Sequence, residues 1–112
     1  LYRNNQKLYN MVQNDLRQIL NSPYIKGDEV HRISESFNTI IERSVEDLDF
    51  VSEILSSNNR KMTDAERAVF LKQKELQSKE MVAEITQKTK RYREIISFRE
   101  MQNKINNRET NY

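Results

Sequence analysis

Pro23 and Gly27 are the only proline and the only glycine in 112 residues. Multi-stranded folds need many tight turns, and tight turns use glycine for positive φ and proline for a preset φ. A sandwich or a barrel is therefore excluded, and long helices joined by few connections remain. Apolar residues make up 36% of the chain and charged residues 32%, so any core is narrow and most of the surface is solvated. The expected architecture is all-α: one elongated antiparallel three-helix bundle or coiled coil with a long C-terminal helix.

Hydrophobic spacing places the helices at about 1–21, 29–56 and 64–106. In the first, Leu1, Leu8, Val12, Leu16, Ile19 and Leu20 recur mostly at three, four or seven residues and share one side. Ser22-Pro23 ends it, because the residue before proline is pushed out of the α region. Lys26-Gly27-Asp28 then makes a short connection, with Gly27 free to take positive φ and Asp28 placed as N-cap.

The second helix carries Val30, Ile33, Phe37, Ile40, Ile41, Val45, Leu48, Val51, Ile54 and Leu55, with Ser44 at a seam position. This face is wide enough to touch two neighbours. Ser56-Ser57-Asn58-Asn59 reads as the second connection. Thr63-Asp64-Ala65-Glu66 is a capping box that opens the third helix, and Asp64 suits the positive end of its dipole. Leu71, Ser78, Val82, Ile85, Thr89, Tyr92 and Ile96 trace a seam along it. Asn103, Asn106, Asn107 and Asn111 should fray its end.

At about 1.5 Å per residue these helices span roughly 32, 42 and 65 Å. In an up-down-up bundle the third helix passes the first connection near residue 91 and overhangs by about 19 residues. The overhang includes Ile95, Ile96, Phe98, Met101 and Ile105. A helix end with so many apolar groups is marginal in water. It is expected to pack on a missing N-terminal segment, another copy or a different partner; the alternative is that it kinks and folds back. The candidate protein interface is Tyr92, Ile95, Ile96, Phe98, Met101 and Ile105.

Charge is unevenly divided. Residues 26–60 hold four Lys/Arg and eight Asp/Glu, whereas residues 61–112 hold twelve and eight. Antiparallel second and third helices would complement each other in this way. The run Lys88-Thr89-Lys90-Arg91-Tyr92-Arg93 offers Lys88, Lys90, Arg91 and Arg93 as nucleic-acid contacts with Tyr92 as a stacking group. Consecutive helical residues point in different directions, so a solvated face is the expected reading and no nucleic-acid partner is expected.

Catalytic chemistry finds no support. The chain has no cysteine, which removes disulfides, thiol nucleophiles and Cys-ligated zinc. His31 is its single histidine, near a helix start where the dipole disfavours a positive imidazole. One glycine makes no phosphate loop. Glu46, Asp47 and Asp49 lack calcium-loop spacing and diverge within a helix. No catalytic residue, cofactor or metal is expected. No apolar run approaches the roughly 18 residues that cross a bilayer. The chain opens on Leu1, which reads as an excised or processed segment of a longer protein.

Two stretches of the third helix carry a family likeness: Met62-Thr63-Asp64-Ala65-Glu66-Arg67, and Tyr92-Arg93-Glu94-Ile95-Ile96-Ser97-Phe98 after a basic run. With the Ser-Pro, the acidic start and the Ile-Ile-Glu of the second helix, the chain resembles the helical conjugal-transfer proteins of Bacteroidetes conjugative transposons (TraI of that system, likened to TrbJ-type proteins). The resemblance covers about residues 20–100. It implies a non-enzymatic part of a type IV secretion (mating-pair formation) apparatus, exported to the periplasm by a leader peptide. The implied partners are proteins of that complex or further copies of the chain. A nucleic-acid-binding module using residues 88–93 and a cytoplasmic coiled-coil adaptor are the alternatives.

Overall fold

The computed structural model describes residues 2–56 and 62–110. Three helices run through them: α1 (Tyr2–Leu20), α2 (Gly27–Ser56) and α3 (Asp64–Thr110). They form a rod of 77 × 20 × 16 Å. Side-chain pairs fix the directions. Asn4 meets Glu75 and Asp15 meets Thr89, so α1 and α3 run parallel. Arg43 meets Glu84 and Glu29 meets Arg99, so α2 runs against α3. The result is an up-down-up bundle in which α1–α3 is the most extensive contact.

The core is a line of aliphatic groups with one aromatic. Leu8, Val12 and Ile19 of α1, Ile33, Phe37 and Ile40 of α2, and Met81 and Ile85 of α3 are buried together with Ile25 of the connection. Along α3 the inward positions 78, 82, 85, 89, 92 and 96 alternate steps of four and three. That is the spacing that keeps one seam facing its neighbours. Burial of these side chains supplies most of the stability of so thin a rod, since isolated helices gain little from propensity alone.

Each terminus has a local cause. α1 stops at Leu20 before Pro23; Ser22 donates its N–H to the Ile19 carbonyl, and its hydroxyl accepts from the Tyr24 N–H at 3.2 Å. The start of α2 differs from the expected Asp28 cap. Lys26 occupies the cap position, and its N–H donates to Glu29 Oε1 at 3.1 Å. The Glu29 and Val30 N–H groups donate to the Lys26 carbonyl. A glutamate three residues into a helix reaches back to the cap amide whatever side chain the cap carries. Gly27 has no positive φ and lies inside the helix.

Half of the expected capping box at α3 is present: Glu66 N–H donates to Thr63 Oγ1 at 3.1 Å, but the Glu66 carboxylate reaches back to the Thr63 hydroxyl, which donates to Oε1 at 3.2 Å, where a full box has it accept the backbone N–H. The second connection, beyond Ser56, lies outside the described residues, as does Asn111. α3 does not fold back; it is one uninterrupted helix of 47 residues that continues past the expected end near 106.

Candidate assembly surface

The level at which α3 leaves the bundle is set by polar groups. Asn5, buried in α1, donates through Nδ2 to Ser44 Oγ at 2.6 Å and to the Ser44 carbonyl at 3.1 Å. Ser78 of α3 donates its hydroxyl to Asn5 Oδ1. One residue from each helix therefore meets in a single layer, with all three at most 5% exposed. Sliding any helix by a turn would bury these groups without partners, at a cost of about 1–3 kcal/mol each. The layer locks the register.

With that register, α3 does not clear the first connection near residue 91. Connection residues 21–26 stand above the start of α2, with Ile25 in the core, and cover further turns of α3. Arg99 reaches that level: Nη1 donates to the Tyr24 carbonyl and to Glu29 Oε1, both at 2.7 Å, and Nη2 donates to Glu29 Oε2 at 2.9 Å. The free end is thus shorter than chain lengths alone imply. Residues 101–108 are exposed throughout.

The six candidate interface residues divide accordingly. Tyr92 and Ile96 pack against the core, Tyr92 with its ring centroid 6.1 Å from that of Phe37. Ile95 is half-buried. Phe98, Met101 and Ile105 remain 55%, 54% and 49% exposed. At 100° per residue these three lie about 170° round the helix from Ile96. They form a separate outer stripe rather than a continuation of the seam. Phe98 and Met101 also border a groove of about 660 Å³ between α3 and α1, closed on the α1 side by Met11 and Asp15. A second apolar strip, with Tyr9, Ile41, Val45 and Leu48, runs along the α1–α2 side.

The basic run is not gathered into one surface. Lys88 donates to Ser36 Oγ at 2.6 Å. Arg93 donates to Asp15 Oδ1 at 3.3 Å and to Gln18 Oε1 at 2.9 Å, while Thr89 donates to Asp15 Oδ2 at 3.3 Å. Lys90 and Arg91 are exposed and point to different sides. Two of the four bases thus hold the bundle together. The charge complement between α2 and α3 is likewise structural, with Asp47 on Lys74 at 3.0 Å and Glu29 on Arg99 at 2.7 Å. Lys74 also lies 5.8 Å from the ring centre of Phe50 and 5.7 Å from that of Phe70.

His31 sits on the surface 3.7 Å from Glu35. Among the described residues no three His, Asp or Glu side chains converge as metal ligands, and no helix is long and apolar enough to cross a membrane. Asn5 is the important residue that the hydrophobic pattern passes over. Its signal is the step from Leu1 to Leu8, since residue 5 stands on the same face and is polar.

Comparison with protein-family models, curated proteins and solved structures finds no match for the chain.

Proposed function

We propose that the chain is a non-enzymatic structural subunit that works by helix-on-helix assembly through the outer stripe of α3. Its proposed setting is the periplasmic side of a conjugative mating-pair formation (type IV secretion) apparatus. One observation carries the assembly role: Phe98, Met101 and Ile105 follow one another along a helix end that the bundle leaves uncovered. An amphipathic helix end of this kind suits docking in an apolar groove or against a second helix. The conjugation setting is supported by the likeness of residues 62–67 and 92–98 to conjugal-transfer proteins.

The test is genetic. The coding gene is deleted from its host element, and transfer frequency is measured after complementation with the parent, Met101→Asp or Ile105→Asp. Transfer should be restored by the parent and remain near the deletion level with either variant. Restoration by variants that accumulate normally would refute the assembly role, and a deletion without effect on transfer would refute the setting. Ile96→Asp is unsuitable here, because Ile96 also packs on the core.

A further inference from the structure

The outer stripe is longer than its apolar part. Glu94, Phe98, Met101, Ile105 and Arg108 follow at steps of four, three, four and three, so they form one line along α3. All five are exposed. The line is about 21 Å long, with three apolar groups in the middle, an acid at one end and a base at the other. Among the described residues neither Glu94 nor Arg108 is held in an ion pair.

This order is self-complementary only when reversed. Rotating the line end for end about Met101 brings Glu94 onto Arg108, Phe98 to the level of Ile105, and Met101 onto itself. A parallel copy would instead place Glu94 on Glu94 and Arg108 on Arg108, like charges at both ends. We propose that the occupant of the outer stripe is a second copy of this chain, docked with its α3 antiparallel to the first through Phe98, Met101 and Ile105 and locked by two Glu94–Arg108 pairs. The contact is isologous, as a two-fold axis requires. It lays the last turns of each copy along the α1–α3 groove of the other, which Phe98 and Met101 border. A pairing of this length is at the small end of specific interfaces, so a reversible dimer is expected.

This inference rests on the assembly role proposed for the same stripe and names its partner. The experiment is sedimentation of the purified chain over a concentration series at low and high salt. The variants are Glu94→Arg, Arg108→Glu and the double exchange. The parent should show a monomer–dimer equilibrium. Each single reversal replaces two attractive pairs by two repulsive ones and should weaken the dimer roughly tenfold at low salt, less at high salt. The double exchange should return the parent's affinity. A parent that stays monomeric at all concentrations, or a double exchange no better than the single variants, would overturn the proposal. A monomeric parent together with transfer still lost in Met101→Asp rejects self-pairing alone. A dimer with the expected charge pattern and transfer indifferent to Met101→Asp upholds the pairing and rejects the conjugation role.

Discussion

Arg99 and Glu29, seventy residues apart, meet as a two-pronged pair with bonds of 2.7 and 2.9 Å. Glu29 Oε1 also accepts the Lys26 N–H, so one carboxylate caps α2 and anchors α3. Arg99 in turn satisfies the Tyr24 carbonyl of the connection. The planar guanidinium suits this task because its fork serves a carboxylate and a carbonyl at once. Beyond this joint residues 101–108 of α3 are exposed.

The joint should be visible in acid. The bond from Arg99, and then that from the Lys26 amide, hold the Glu29 carboxyl well below its ordinary 4.5, at about 2. The folded state therefore releases this proton more readily than the unfolded chain. The stabilisation is complete above the unfolded value and lost as pH falls from 4.5 towards 2. Glu29→Gln should lower stability by about 1 kcal/mol at neutral pH, the scale of a pair still reached by water. Urea unfolding across this window should show a shallower pH dependence for the variant. An unchanged acid limb would mean that other carboxylates govern it.

The Asn5 layer predicts opposite effects for single and combined changes. Asn5→Ala leaves Ser44 and Ser78 buried without their partner and should cost about 1–3 kcal/mol in urea unfolding. Replacing all three by apolar groups (Asn5→Leu with Ser44→Ala and Ser78→Ala) removes the polar groups together. Most of that loss should be recovered. The register is then set by aliphatic contacts alone, and amide NMR spectra should show more than one packing arrangement. A single well-dispersed spectrum for the triple variant would show that the layer is not needed for register.

How much of this was legible in the sequence follows from what a pattern can encode. The four-three spacing from Ser78 to Ile96 states which face of α3 turns inward, and that face is buried as expected. The Thr63–Glu66 box announces the start of α3 for the same local reason. Periodicity is silent on level, however. The height of α3 against α1 and α2 depends on Asn5, Ser44 and Ser78, and on the connection rising above α2. That is why the exit of α3 lies beyond Arg99 instead of near residue 91. The α2 cap was misplaced because Asp28 is a better capping residue than Lys26, yet the geometry is decided by Glu29 two residues after Gly27. Phe98, Met101 and Ile105 were grouped with Tyr92, Ile95 and Ile96 because all six are apolar. Only angular position separates the outer stripe from the core.

Phe37 and Phe98 offer a direct contrast between core and stripe. Phe37 is fully buried against Tyr92, whereas Phe98 is 55% exposed. Phe37→Ala should cost about 3–5 kcal/mol through lost burial and the cavity left behind, enough to unfold much of a domain of this size. Phe98→Ala should leave the monomer's unfolding free energy in urea within about 0.5 kcal/mol of the parent's. Comparable losses in the two variants would show that Phe98 is bound within its own chain.

The basic run gives the last prediction, because its members differ in what they hold. Arg93 bridges Asp15 and Gln18, and Asp15 also accepts the Thr89 hydroxyl, so this arginine joins α1 to α3 in the upper half of the rod. Lys90 is exposed and borders the groove without joining two helices. Arg93→Ala should therefore lower the thermal midpoint measurably, by an amount that shrinks with added salt, while Lys90→Ala should leave it unchanged. A nucleic-acid surface would order the two otherwise: affinity for duplex DNA at low ionic strength would fall for both, and most for exposed Lys90 and Arg91. Equal thermal midpoints together with a salt-sensitive gel shift abolished by Lys90→Ala would reverse the assignment of this run from bundle support to phosphate contact.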